Sequence, residues 1–214
     1  MTDQSVTDRK RNSILDAARA VFSRQGYAGT AVEDVASKAG VAKGTLYLYF
    51  KSKEDLYLAA LARDLGCLAQ RARAEMERAP TLREQILAFL RVRLEYATAN
   101  QDFLRIYLAE YGSLFVKNSL HSELCRLSRE NSRLLKRLVE QAAARREIRA
   151  VEAGPVATAL FSIVRGTLET RMLGWKEFQA EDDAKFAVDL LWRGIGRERK
   201  RRQTHRKRAE APRK

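Results

Sequence analysis

Six residues near the N-terminus have the types and spacing to hold an anionic polymer: Lys43, Gly44, Thr45, Tyr47, Tyr49 and Lys53. An ammonium neutralises phosphate, a hydroxyl donates to phosphate oxygens, and a glycine lets two backbones come close. In this set Lys43 and Lys53 take phosphate charge, the tyrosines donate to phosphate, and base reading falls mainly to Thr45, with Lys43 beside it. The same tyrosines also suit half-buried packing and the lysines a solvated face, so the elements that carry them decide between the two readings.

Those elements are legible from caps and periodicity. Thr30 followed by Glu33 fits a capping box and starts a helix at about Ala31. Val32, Val35, Ala36 and Ala39 then recur at the i, i+3, i+4, i+7 spacing of one apolar face. Gly40 closes that helix, because glycine adopts the left-handed conformation of a C-cap, and Val41 tucks under the turn. A second short helix, roughly 42 to 50, turns Leu46 and Phe50 inward and leaves Lys43, Gly44, Thr45, Tyr47 and Tyr49 to a partner. Ser52 with Asp55 caps a long helix through Leu56, Ala60, Leu61 and Leu65. Two helices joined by a tight turn, the second basic and aromatic, make a helix-turn-helix over 31–50 that lays one helix on duplex DNA.

The order of these motifs closely resembles the TetR/AcrR family of bacterial transcription regulators. The resemblance is carried by Phe22-Ser-Arg-Gln-Gly26-Tyr27, Thr30, Val35-Ala36, Ala39-Gly40-Val41, Lys43-Gly44-Thr45-Leu46-Tyr47, Tyr49-Phe50 and Lys53-Glu54-Asp55-Leu56, and covers about residues 8–65. It implies an all-α fold of about nine helices, with a three-helix DNA-binding head over 8–65 and a ligand-binding and dimerisation body over 66–196. It also implies a homodimer on a double-stranded DNA operator and repression relieved by a small-molecule effector. The family's DNA-contact positions fall on Thr30, Val32, Ala42, Lys43, Gly44, Thr45, Tyr47, Tyr49 and Lys53. Val32 and Ala42 depart from the polar residues frequent there, so backbone amides alone would serve at those positions.

The net charge of +14 is unevenly spread. Residues 196–214 carry ten Lys/Arg against Glu198 and Glu210, which is +8, and residues 1–53 carry nine against five, which is +4. The basic tail over 197–214 has almost no apolar side chains and cannot offset the entropy of ordering. Two roles fit it: an arm adding non-specific, salt-sensitive DNA affinity, or a solvated solubilising segment. With 45% hydrophobic residues and only three prolines, the rest of the chain favours long helices around a core. No apolar run approaches the ~20 residues of a membrane span, and the polar start Met1-Thr-Asp-Gln-Ser lacks a signal-peptide pattern. The chain is therefore expected in the cytoplasm, where Cys67 and Cys125 read as buried thiols rather than a bridge. His121 and Cys125, four apart, do not make a metal site, and no cofactor motif, phosphate loop or nucleophile elbow points to an enzyme.

Beyond the head, punctuation divides the body. Ala79-Pro80 breaks the fourth helix, Thr81 with Glu84 caps a fifth carrying Ile86, Leu87, Leu90, Leu94 and Ala97, and Asn100-Gln-Asp102 marks a turn. A sixth helix around Phe103, Ile106, Tyr107 and Tyr111, a long seventh from about 120 to 146, an eighth begun by Gly154-Pro155 and a ninth over about 182–195 complete the count. Apolar residues on the last two, Leu160, Val164, Leu168, Val188, Leu191, Trp192 and Ile195, exceed what one exposed helix pair shows and suit an isologous twofold interface. Phe103, Tyr107, Tyr111, Phe115, Phe161, Arg165, Glu169 and Trp175 mix aromatic bodies with charge, as a chamber for an amphipathic or aromatic effector does, although plain core shows the same spacing. Arg105 or Arg165 suits an acidic ligand there, or a neighbouring glutamate. The rival to a sequence-specific regulator is a basic helical adaptor that binds nucleic acid by charge alone.

Overall fold

The computed structural model describes residues 3–104, 121–172 and 179–196, apart from the side chains of 3–5, 121–125, 164, 165, 168, 171 and 172. Eight helices follow in order among them: α1 (Asp3–Gly29), α2 (Val32–Ala39), α3 (Lys43–Tyr49), α4 (Lys53–Arg78), α5 (Leu82–Ala99), α6 (His121–Ala144), α7 (Ala153–Met172) and α8 (Ala180–Ile195). The further helix expected around Phe103 to Tyr111 begins at 101–104, where the Leu104 N–H meets the Asn100 carbonyl at 3.0 Å. The remainder of that segment and the tail over 197–214 lie outside the described residues.

Local chemistry sets most of the boundaries. Gly40 ends α2 with φ 67° and ψ 33°, a left-handed conformation that glycine adopts without a Cβ penalty. Its own N–H and that of Val41 return to the Ser37 and Ala36 carbonyls at 3.1 and 3.0 Å. The Ser52 hydroxyl accepts from the Asp55 N–H at 3.0 Å while Asp55 accepts from the Lys51 N–H at 2.8 Å, so the expected cap on α4 is formed. Thr81 and Glu84 form the reciprocal capping box on α5.

Thr30 behaves differently from its expected cap. The N-cap of α2 is Ala31, with no side-chain cap bond, and the helix begins at Val32. The Thr30 hydroxyl instead donates to the Gly26 carbonyl at 2.6 Å, because Gly26 (φ 71°, ψ 175°) interrupts α1 and turns that carbonyl out of the helical ladder. Thr30 therefore fixes the corner between α1 and α2.

Two cores run through the molecule. The first unites Ile14, Leu15, Ala18, Val21 and Phe22 of α1 with Val35, Leu46, Phe50 and the start of α4, and extends to Ala97 and Phe103. The second joins Leu68, Ala72, Phe89, Leu90, Leu135, Val139, Leu160, Val188 and Ile195. Each fully buried Leu, Ile, Val or Phe removes apolar area from water for roughly 1.5–3 kcal/mol, so the helices are held by packing more than by propensity. Leu65 and Tyr96 touch both cores. No sheet forms among the described residues, and a lone antiparallel bridge between Ile148 and Gly196 ties the α6–α7 loop to the end of α8. No described helix is long and apolar enough to cross a membrane.

Candidate functional site

The helix-turn-helix forms, and the structure sorts its expected contact residues into three groups. Ala42, Lys43, Gly44 and Tyr47 are exposed on the first turns of α3, with Thr45 half-buried among them. Thr30 and Val32 are buried, 3% and 8% exposed, so their side chains serve the head's core rather than a partner. Tyr49 and Lys53 fall between: Tyr49 packs partly on the core, and Lys53 donates to the Ala28 carbonyl at 3.3 Å with its ammonium 4.7 Å from the Tyr27 ring centroid. Lys53 thus fastens the start of α4 to the end of α1.

Sequence reasoning missed Leu48, which is 84% exposed and the most exposed large apolar side chain described. The signal was available, since Leu46 and Phe50, four apart, define the buried side of α3 and leave position 48 opposite. A leucine there offers apolar contact of the kind a thymine methyl accepts. Gly44 supplies a second clue: a Cβ built on it meets nothing within 4 Å. The unbound head has no packing reason for glycine at this position, whereas close approach of a partner backbone is one.

Charge on this face is held in reserve. The Lys43 ammonium pairs with Glu33 of α2 and lies 5.9 Å from the Tyr47 ring centroid. The hydrogen bond from Lys43 holds the Glu33 carboxyl below the usual carboxylate range, and Glu33 holds the Lys43 ammonium above its ordinary value. Both side chains are more than half exposed, so the pair is weak in water and phosphate can compete for the lysine.

Head and body meet in a polar cluster beneath the first core. Arg19 of α1 pairs with Asp64 of α4 and donates to Asn100 at the end of α5. The Tyr96 hydroxyl donates to the same Asp64 carboxylate at 2.9 Å. Burial and the Asp64 charge push the Tyr96 phenol well above its ordinary value. Alongside, the Tyr57 hydroxyl donates to the Phe103 carbonyl at 2.8 Å, and Phe103 meets Tyr57 edge-on with centroids 5.1 Å apart. Any rotation of α5 against α4 must therefore disturb what α1 is bonded to.

The expected ligand chamber is divided. Phe103, 1% exposed, belongs to the first core. Phe161 packs against the second, edge-on to Phe89 at 5.9 Å. Glu169 is half-buried on α7. Tyr107, Tyr111, Phe115 and Trp175, and the side chain of Arg165, lie outside the described residues. Beside Phe161 is a group sequence reasoning did not select, Arg93 of α5, whose guanidinium carbon lies 4.4 Å from the Phe89 centroid and 5.7 Å from that of Phe161. As a residue Arg93 is half-buried, yet its Nε and Nη2 are sealed from solvent and have no hydrogen-bond partner among the described residues. Burial pushes this guanidinium down to about 10, still protonated near neutrality.

A separate groove of about 580 Å³ opens between α4 and α6, bordered by Arg11, Arg63, Arg73, Arg126, Glu130 and Cys67. Arg63 pairs with Asp16 and Arg126 with Glu130, both at 2.6 Å, and Arg11 lies over the Phe50 ring. Cys67, expected as a buried thiol, is exposed, because its turn of α4 looks into this groove. The Cys125 side chain lies outside the described residues.

The residues expected at a twofold interface are largely spent inside the chain. Leu160, Val188 and Ile195, at 0%, 2% and 5% exposed, belong to the second core. Leu191 and Trp192 are half-buried against it. The side chains of Val164 and Leu168 lie outside the described residues. The apolar residues that α8 turns outward are Phe186 (70% exposed) and Leu190 (58%), four apart.

Three helices that present a short, basic and aromatic helix from a packed head, joined to an all-helical body, define a helix-turn-helix protein. Residues 14–60 match the family model described as "Bacterial regulatory proteins, tetR family", so the head of this chain is similar to the DNA-binding part of that family. Over 129 residues it is 36% identical to the HTH-type transcriptional regulator RutR of Escherichia coli K12, covering 59% of this chain and 60% of that protein. The fold is that of the transcriptional regulator FadR from Bacillus subtilis, solved in complex with stearoyl-CoA, at a TM-score of 0.68 and 22% identity over 84% of this chain and 96% of the other. It is also that of AibR, solved with isovaleryl coenzyme A and operator DNA, at a TM-score of 0.63 and 18% identity over 85% and 97% of the two chains. The chain spans about 40 to 60% of the length of the curated relatives it matches.

Proposed function

We propose that this chain is a ligand-responsive, DNA-binding transcription regulator: a cytoplasmic repressor that grips a palindromic operator as a homodimer and lets go when a small effector enters its body. The head, about 8–65, carries the DNA surface, and the body, about 66–196, carries the effector site and the dimer contact. The observation that carries this reading is the outward face of α3, where Lys43, Gly44, Tyr47 and Leu48 stand exposed on a helix whose other side is locked into the head by Leu46 and Phe50. Lys43 and Tyr47 bind phosphate, Thr45 and Leu48 read base edges, and Gly44 lets the α3 backbone approach. The family-model match over residues 14–60 and the DNA-bound and acyl-CoA-bound proteins of the same fold support it.

One seven-residue helix discriminates little sequence, whereas two related by a twofold axis read half-sites ~34–36 Å apart. Phe186 and Leu190 supply the apolar contact for the second copy, with Leu191 and Trp192 at its edge. The effector acts by population shift: it favours the body conformation in which α5 has moved against α4, and the Arg19–Asp64–Tyr96 cluster carries that movement to the heads. A coupling of ~1–3 kcal/mol changes operator affinity about 5- to 150-fold. Binding and release are the whole activity, and no reaction is assigned.

Selection of bound duplexes from a randomised pool, with purified full-length protein at physiological salt, tests this reading. One palindromic motif is expected, and a pool without a motif contradicts it. The second reading, a basic adaptor without sequence preference, draws on the +8 charge of residues 196–214. In that case removal of the tail abolishes binding while Thr45→Ala and Tyr47→Ala leave it intact.

A further inference from the structure

Arg93 stands in an apolar stripe. Ile86, Phe89, Leu90, Arg93 and Ala97 fall at helical spacing along α5, and every other member of the set is buried. Its guanidinium rests against the Phe89 and Phe161 rings. Such rings meet the charge over their faces and leave in-plane N–H donors unsatisfied, as Nε and Nη2 are here. These two nitrogens form the side edge of the guanidinium fork, a pair of parallel donors matched to the two oxygens of one carboxylate. A phosphate group fits the same fork, but with close to two charges it is only half neutralised by one buried guanidinium. A neutral molecule leaves the buried cation uncompensated.

We propose that the side edge of Arg93 is the anion-binding element of the effector site and that the effector is a carboxylic acid with an apolar or aromatic body, seated against Phe89 and Phe161. This rests on the regulator reading above and gives its effector a chemical class. Because packing seals the fork edge, the acid enters by displacing the half-buried Phe161 ring, which loosens α7 from α5. Tyr96 and Asn100 lie three and seven residues after Arg93, on the same side of α5, and both belong to the cluster that holds Arg19 of α1. The carboxylate site is therefore one helical turn from the contacts that fix the head.

The test is the melting temperature of the full chain with matched pairs, phenylbutyrate against phenylbutanol and octanoate against octanol. At least one acid should raise the wild-type midpoint by several degrees where its alcohol does not. Arg93→Met should lose that response and, without ligand, should melt above wild type, since it removes an unpaired buried charge. Arg93→Lys keeps the charge but not the fork, so its affinity for the acid should fall at least about tenfold. A wild-type midpoint unmoved by both acids, an equal response to acid and alcohol, or a response retained by Arg93→Met overturns the proposal. Binding of the selected duplex by ligand-free Arg93→Met, measured in parallel, should match wild type. A wild type that binds the selected duplex but responds to neither acid sinks the carboxylate site alone, whereas failure of wild type to select any duplex sinks the regulator reading and leaves the acid result standing.

Discussion

Head and body place the chemistry we assign to a partner on opposite sides of their packing. In the head, Lys43, Gly44, Tyr47 and Leu48 face outward, and the buried Thr30 hydroxyl has a carbonyl partner. In the body, the Arg93 cation is turned inward onto two phenyl rings, with two donors unmet among the described residues. An outward reserve of charge and hydroxyl suits a large partner that arrives as a surface. An inward one suits a small partner that must be enclosed. The cluster of Arg19, Asp64, Tyr96 and Asn100 lies where the two meet, and through it one event can be felt by the other.

Several perturbations separate the two halves of this contrast. Removing the outward chemistry should have the largest effect: Lys43→Ala with Tyr47→Ala should weaken operator binding by about 2–4 kcal/mol, taking each contact at roughly 1–2 kcal/mol. Its melting curve should stay within ~0.5 kcal/mol of wild type because both residues are exposed, and fluorescence anisotropy alongside calorimetry reads both quantities. At the junction, Asp64→Asn deprives Arg19 and Tyr96 of their shared acceptor charge and should cost about 1–3 kcal/mol of stability. It should also blunt whatever effector response the wild type shows, which titration of the operator complex with effector checks.

Arg93 offers a signed test in the opposite direction. Its folded pKa, lowered from 12.5 to about 10 by burial, means that the unfolded chain holds this proton more tightly. The resulting destabilisation is present throughout neutral pH and is relieved only as pH rises above about 10, where the folded state gives the proton up. Arg93→Met should therefore raise unfolding free energy by on the order of 1–3 kcal/mol near pH 7, and denaturant titration measures it. The smallest effect belongs to Glu33→Gln, which frees the exposed Lys43 ammonium. Operator affinity should rise by no more than about 1 kcal/mol, the scale of a surface ion pair, and a wild-type value would show that phosphate already displaces Glu33 without cost.

The sequence was most informative where structure is decided locally. Gly40, Ser52 and Thr81 each act on backbone groups within a few residues, and all three behave as their types predict. Thr30 misled for a reason of the same local kind: the break at Gly26 offers its hydroxyl a carbonyl four residues back, which competes with the helix that follows. The body was less legible, because an aromatic at helical spacing looks alike in a core and in a chamber. Phe103 proved to belong with Tyr57 of the head, while Phe161 sits by Phe89. On α8, apolar residues occupy both faces, so periodicity did not show that Val188 and Ile195 turn inward and Phe186 and Leu190 outward. Arg93 was readable in principle, as an arginine inside an otherwise apolar stripe, but only the packing shows that its donors are unmet.

The most direct test of the outward face is Gly44→Ala, assayed for both stability and operator binding. A Cβ at this position meets no atom of the unbound chain, and alanine is the better helix former by about 1 kcal/mol. Thermal unfolding should therefore show an unchanged or higher midpoint, while affinity for the selected duplex falls at least about tenfold as the added methyl holds the backbone away from phosphate. A variant that melts as expected and binds the duplex as tightly as wild type would contradict the assignment of this face of α3 to DNA.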